Sequence, residues 1–239
     1  MMQRPSEQVA SPPGPLSCRE GEPDAGSGTE SFGSPSLQER GPGGEAKLAI
    51  LLSGRGSNMV ALVNAIHSGP LQHLAEVAVV FSNKPDAPGL ETAAALGCPT
   101  ASLSSQGRKR DEFDAEVVAL LQAYQPDYVV LAGYMRILSP TFIRAFAGRI
   151  LNIHPADTRQ HQGLHAYEWA FDKQLPETKI TVHLVDEGLD TGPILAQAPV
   201  DLRGADTLQE VERRGLAVEH HLYADTLARL LRGQLKIEK

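Results

Sequence analysis

Asn152 and His154 stand two residues apart at the end of an apolar run, Ile150-Leu151-Asn152-Ile153-His154-Pro155. In a strand this spacing puts both side chains on one face. The proline ends the strand there, so an amide and an imidazole are aimed at one point. Further along, Asp186-Glu187-Gly188-Leu189-Asp190-Thr191-Gly192-Pro193 reads as a glycine-rich loop able to fold back, with Asp190 as the natural third member. A carboxylate beside an imidazole favours the protonated ring and fixes its orientation. An amide donor, an imidazolium and a carboxylate suit attack on a carbonyl: donors meet the charge that builds on oxygen, and the acid–base pair moves the proton.

The elements that must position these groups are legible from residue 47 onward. Continuous apolar runs at 48–52, 77–81, 128–132 and 150–154, with a weaker one at 98–102, alternate with helical stripes such as Met59, Leu62, Val63 and Ile66, or Phe113, Val117, Leu120, Leu121 and Tyr124. Short helices are expected at 88–96, 140–146 and 166–173. Residues 179–185 alternate in polarity, which predicts a strand that is half exposed or near an edge, and 193–200 predict a further strand. Thr207-x-x-Glu210 is a capping-box signature that opens a final helix carrying Val211, Val218 and Leu222. The order predicts an α/β fold, a single three-layer domain over 47–239 with a mostly parallel, Rossmann-like sheet. Residues 1–46 are rich in Pro, Gly, Ser and acidic side chains and are expected to be a disordered N-terminal tail.

Composition excludes several classes of function. A formal net charge of -7 leaves no overall basic field for nucleic acid. The two cysteines, Cys18 and Cys98, make neither a disulfide framework nor a metal cluster. The N-terminal stretch lacks the apolar segment of a signal peptide and is too acidic for a transit peptide, and no segment approaches transmembrane length. A cytoplasmic, metal-free protein without nucleic-acid or membrane partners is expected.

Two other strand ends carry polar or glycine-rich text, where open α/β sheets collect ligands. Gly54-Arg55-Gly56-Ser57-Asn58 enters a helix amino terminus, a setting that suits a phosphate. It lacks the third glycine of a dinucleotide fingerprint and the lysine of a P-loop. Its plainer reading is a tight turn with Ser57 or Asn58 as helix cap. Gly133-Tyr134-Met135-Arg136-Ile137-Leu138 reads either as a connection packing Met135, Ile137 and Leu138 into the core or as the wall of a site for a flat heteroaromatic ligand. His183 reads as an ordinary, satisfied polar residue.

Taken in order with Gly163-Leu164-His165 and the late Glu219-His220, these motifs resemble the phosphoribosylglycinamide formyltransferase family, folate-dependent enzymes of purine synthesis, over roughly residue 47 to the end. The resemblance implies transfer of the formyl group of 10-formyltetrahydrofolate, a co-substrate, to the amine of phosphoribosylglycinamide, with no tightly bound cofactor and no metal. It implies small-molecule substrates as partners and a monomer or weak homodimer. Asn152, His154 and Asp190 match the catalytic trio. Gly56, Ser57, Asn58 and Glu219 match the ribonucleotide site. Arg110, Met135, Arg136, Ile137, Leu138, Asn152, Asp186, Glu187, Gly188 and Leu189 match the folate site. One stretch departs: where the family reads Ser-Leu-Leu-Pro after His-Pro, this chain has Ala156-Asp157-Thr158-Arg159, continuing to Gln162, and loses the apolar, proline-stiffened character.

Two relatives share the trio. Methionyl-tRNA formyltransferase continues into a further domain and needs a basic surface. Formyltetrahydrofolate deformylase, which passes the formyl group to water, carries a folded domain ahead of the core. A catalytically silent folate- or nucleotide-binding module is the alternative from another class; retention of all three residue types speaks against it.

Overall fold

The computed structural model describes residues 44–235. The expectation for the 1–46 extension therefore falls almost wholly outside the described residues. Among the described residues seven strands form one sheet: β1 (Ala46–Leu52), β2 (Ala75–Ser82), β3 (Thr100–Ser102), β4 (Tyr128–Leu131), β5 (Ile150–His154), β6 (Glu177–Leu184) and β7 (Ile194–Asp201). Their spatial order is β3-β2-β1-β4-β5-β6-β7. The β1 to β5 strands pair in parallel, whereas β5–β6 and β6–β7 are antiparallel. The helices are α1 (Ser57–Ser68), α2 (Pro88–Ala95), α3 (Arg110–Ala123), α4 (Pro140–Ala145), α5 (Ala166–Asp172) and α6 (Leu208–Leu231).

Strand periodicity sorts the apolar side chains into two layers. Along β1, Leu48, Ile50 and Leu52 join Met59, Leu62 and Val63 of α1 and Tyr223 and Leu227 of α6. Ala49 and Leu51 face the other way, onto Phe113, Val117 and Leu121 of α3 and Phe142 of α4. A strand covered on both faces has no polar side to show, which is why its sequence is an unbroken apolar run. Each such Leu, Val or Phe contributes on the order of 2 kcal/mol by leaving water.

In the antiparallel part of the sheet one of the two expected readings holds. The β6 strand lies one in from the edge, but from Ile180 to Leu184 it is buried, not half-exposed. Its polar members, Thr181 and His183, have partners inside the protein that alternation alone does not disclose. Thr207 caps α6 as expected, accepting from the Glu210 amide, but the capping box is only half formed. The Glu210 carboxylate turns instead to Arg213 and Arg214, each at 2.7 Å. No described helix is long and apolar enough to cross a membrane.

One contact ties α6 to the strand ends that matter below. The buried Tyr223 hydroxyl donates toward the carbonyls of Leu131 on β4 and Leu151 on β5, at 3.0 and 3.1 Å. Tyr223→Phe keeps the ring and removes the donor. It is expected to cost about 1–2 kcal/mol of unfolding free energy, read by denaturant titration; an unchanged midpoint would mean that the two carbonyls lose nothing with the hydroxyl.

Candidate functional site

Along β5, Leu151 and Ile153 face the α6 layer, so Asn152 and His154 fall on the other side of the sheet. There they line a cavity of about 370 Å³. Its further walls are the loop 133–138 after β4, Ile143 of α4, residues 163–166, and the β6–β7 connection from Val185 to Asp190.

The loop after β4 is held by its backbone. Ser53 at the end of β1 donates its amide to Gly133 O at 3.0 Å and accepts the Met135 amide on Oγ at 2.8 Å. Gly133 sits at φ 78°, a left-handed turn that suits glycine. Leu138 is buried, but Met135 and Ile137 are 62% and 63% exposed. The core-packing reading therefore fails for these two: the backbone pinned by Ser53 turns them out to the cavity rim. Leu164 and Leu189, at 64% and 48% exposed, extend the same apolar rim. Arg136 lines the cavity with its guanidinium 4.6 Å over the Phe113 ring.

The β6–β7 hairpin folds back as its glycines require. A Cβ on Gly192 would lie 1.9 Å from the Leu184 carbonyl oxygen, and one on Gly188 would lie 2.0 Å from Thr191 Oγ1. Asp186 Oδ1 accepts from the Gly188 amide at 3.0 Å and from Thr191 Oγ1 at 2.7 Å, closing the tip. Asp190 adopts φ 52°, a left-handed conformation tolerated by Asp but strained for most side chains.

That conformation brings Asp190 onto Asn152 and His154. Asn152 Nδ2 donates to Asp190 Oδ1 at 3.3 Å, and the Gly163 amide donates to Oδ2 at 2.8 Å. His154 Nδ1 lies 3.5 Å from Asp190 Oδ2, while its Nε2 faces the His161 carbonyl at 3.1 Å. His183 is the member that sequence reading passed over. Pairing across from Asn152 in the β5–β6 register, it sets Nε2 3.2 Å from Asn152 Nδ2 and 3.4 Å from Asp190 Oδ1, with Nδ1 on the Leu184 carbonyl at 2.8 Å. The available signal was Thr181 and His183 sharing one face of β6, on the same side as Lys179.

Electrostatics correct a second expectation. Burial, the strongest influence on His154, pushes its imidazole below its ordinary value; Asp190 opposes this but does not prevail. The ring therefore rests uncharged at neutral pH, not as the expected imidazolium. For Asp190 the strongest single influence is again burial, which raises it. His183, the Gly163 amide and His154 together outweigh burial and hold the carboxyl below its usual range. The site pairs a neutral imidazole with a carboxylate.

The ribonucleotide candidates gather elsewhere. The α1 turn is capped by Gly56 at φ 76° with no side-chain cap, so neither Ser57 nor Asn58 serves as one. Space there is tight as well: a Cβ on Gly56 would sit 3.0 Å from Leu52 Cδ2. Ser57 is exposed. The Asn58 amide instead donates to buried Glu219 at 2.5 Å, and Tyr167 donates its hydroxyl to the other oxygen of Glu219. Burial foremost, and Glu219 next, hold the Tyr167 phenol protonated. Arg110 is not brought to the cavity wall; it stands exposed at the start of α3, 3.7 Å from its neighbour Asp111.

A family model described as formyl transferase matches residues 46–227. The chain belongs to the formyl transferase family, whose members use a folate-derived formyl donor as co-substrate. Among its relatives is the phosphoribosylglycinamide formyltransferase of Escherichia coli K12, 38% identical over 193 residues, covering 80% of this chain and 90% of that one. Of solved structures, glycinamide ribonucleotide transformylase 1 from Symbiobacterium toebii superposes with a TM-score of 0.77 at 37% identity, covering 81% of this chain and 91% of the other. Phosphoribosylglycinamide formyltransferase from Bacillus halodurans gives 0.73 at 41%, covering 77% and 95%.

Proposed function

We propose that the domain from residue 47 onward transfers the formyl group of 10-formyltetrahydrofolate to the amine of phosphoribosylglycinamide, a step of purine biosynthesis. The observation that carries this reading is the convergence of Asn152, His154 and Asp190 at one end of an apolar-rimmed cavity. The pterin occupies that cavity, between the 133–138 loop, with Met135, Arg136, Ile137 and Leu138, and the hairpin tip, with Asp186, Glu187, Gly188 and Leu189. Arg110 serves the outer part of the folate. The ribonucleotide phosphate takes the α1 amino terminus at Gly56, Ser57 and Asn58, with Glu219 beneath it.

The amine attacks the formyl carbon on N10, forming the new C–N bond and placing negative charge on the formyl oxygen. Asn152 turns an Nδ2 hydrogen from its long contact with Asp190 to that oxygen, a donor typically worth about 3 kcal/mol. His154 Nδ1, uncharged at rest, takes the proton from the attacking nitrogen. The imidazolium so formed lies between the Asp190 carboxylate and the His161 carbonyl, both of which stabilise it. It returns the proton to N10 as the C–N10 bond breaks and the carbonyl re-forms. The proton count closes without a metal or resident cofactor.

The test is a formyl-transfer assay on the purified full chain, following the folate product with and without phosphoribosylglycinamide. Turnover is expected only with the ribonucleotide. Equal turnover without it would mean that water is the acceptor, and none in either arm would mean that the chain only binds.

A further inference from the structure

We propose that Asp157 is a positioning residue that sets the tautomer of His154 by holding the turn whose His161 carbonyl takes the ring's Nε2 hydrogen. The inference rests on the formyl-transfer reading for its catalytic consequence, but its structural content does not depend on the acceptor.

The stretch from Ala156 to Gln162 is where this chain lacks the apolar, proline-stiffened pattern, yet the turn is well held. Asp157 is buried, and its carboxylate accepts from the Arg159 amide at 3.1 Å, Lys179 Nζ at 3.0 Å and Gln197 Nε2 at 3.2 Å. Its own carbonyl accepts the amides of Gln160 at 2.8 Å and His161 at 3.0 Å. Gln197 also donates to Thr181 Oγ1 at 2.9 Å, and Thr181 donates to the Ala156 carbonyl at 2.7 Å. Thr181 pairs across from His154 in the sheet, so the network begins where the reacting strand ends. A buried carboxylate with three donors, one of them cationic, takes the place of a proline ring and apolar packing.

The turn delivers two things to His154. Its His161 carbonyl faces His154 Nε2 at 3.1 Å, and the His161 ring stacks on the His154 ring, with centroids 6.2 Å apart, and packs against Trp169 at 4.9 Å. With its hydrogen on Nε2, the neutral ring leaves the Nδ1 lone pair toward Asp190 and the cavity. In the opposite tautomer, a lone pair would face the His161 carbonyl and the hydrogen would occupy the position the mechanism needs free. The ionisable groups around the ring are Asp190, His183 and His161; around Asp157 they are Lys179 and, through its backbone, Arg159.

The test uses the full chain and two variants, Asp157→Asn and the milder Lys179→Met, whose side chain is 40% exposed. Long-range 15N–1H NMR of the histidine rings should show one Nε2–H tautomer for His154 in the parent protein and a mixture in Asp157→Asn. In steady-state kinetics kcat should fall about tenfold in Asp157→Asn and about threefold in Lys179→Met, with KM for the formyl donor within twofold. A folded Asp157→Asn protein with unchanged kcat, or a fall in kcat with the tautomer unchanged, would overturn the proposal. So would a mixed tautomer in the parent. If Asp157→Asn does not fold, Lys179→Met decides on the same readouts. A parent protein with the single tautomer but no formyl transfer would refute the functional reading and leave this one standing.

Discussion

His154→Ala should lower kcat by about 10³-fold, with KM for the formyl donor changed by less than about tenfold. In the proposed mechanism the ring both accepts the amine's proton and carries it to N10, and no group beside it is placed to substitute. Asp190 is a carboxylate held acidic, and His183 is held by Asn152 and the Leu184 carbonyl. In the proposed reading most of the donor's contacts lie on the 133–138 loop and the hairpin tip, so affinity should survive. Initial-rate kinetics over both substrates separate the two constants; a variant within tenfold of the parent kcat removes His154 from the chemistry.

For Asp190→Asn we expect a loss in kcat of about 10²-fold to 10³-fold and a displaced pH profile. The sign follows from the balance at the imidazole. Burial holds His154 below its ordinary value of 6.5, and Asp190 is the foremost influence pulling it back up. In the parent, kcat/KM should fall as pH drops through the depressed His154 value, because on the proposed mechanism a ring already protonated cannot accept the amine's proton. Removing the carboxylate leaves burial less opposed, so in Asp190→Asn that acid limb should move to lower pH. A limb moving upward would mean that Asp190 does not act on His154 by charge. Stability changes in a linked way: Asp190 is depressed in the folded protein, so its contribution is present above the unfolded carboxyl value of about 3.9 and is lost as pH falls through the folded one.

Much of this architecture is legible in the primary structure because it rests on local rules. Strand β5 begins and ends where the run from Ile150 to His154 says it does, and Asn152 and His154 share a face because strand periodicity leaves no choice. Gly188 and Gly192 announced a tight fold-back, and in it a Cβ on Gly192 would meet the Leu184 backbone and one on Gly188 the Thr191 side chain. What was not legible depends on registers and balances that no short motif carries. His183 becomes a member of the site only through the antiparallel register that sets it across from Asn152. Met135 and Ile137 are exposed on a loop whose start is held by Ser53, far earlier in the chain. The protonation of His154 depends on how deeply the strand end is buried, and burial is a property of the whole fold. The stretch after Pro155 looked loosened when read as text. Its polar residues find Lys179 and Gln197 on two other strands, partners that sequence proximity does not suggest.

The β6–β7 hairpin carries Asp186 to Leu189 on the cavity wall and, immediately after them, Asp190 in its left-handed pose. On the proposed reading, recognition and chemistry therefore ride on one short arch. Enlarging the pocket for a bulkier ligand by reshaping that arch would drag the carboxylate with it, so evolution or engineering toward new donors has freer rein on the opposite wall, after β4, where changes leave the proton pathway in place.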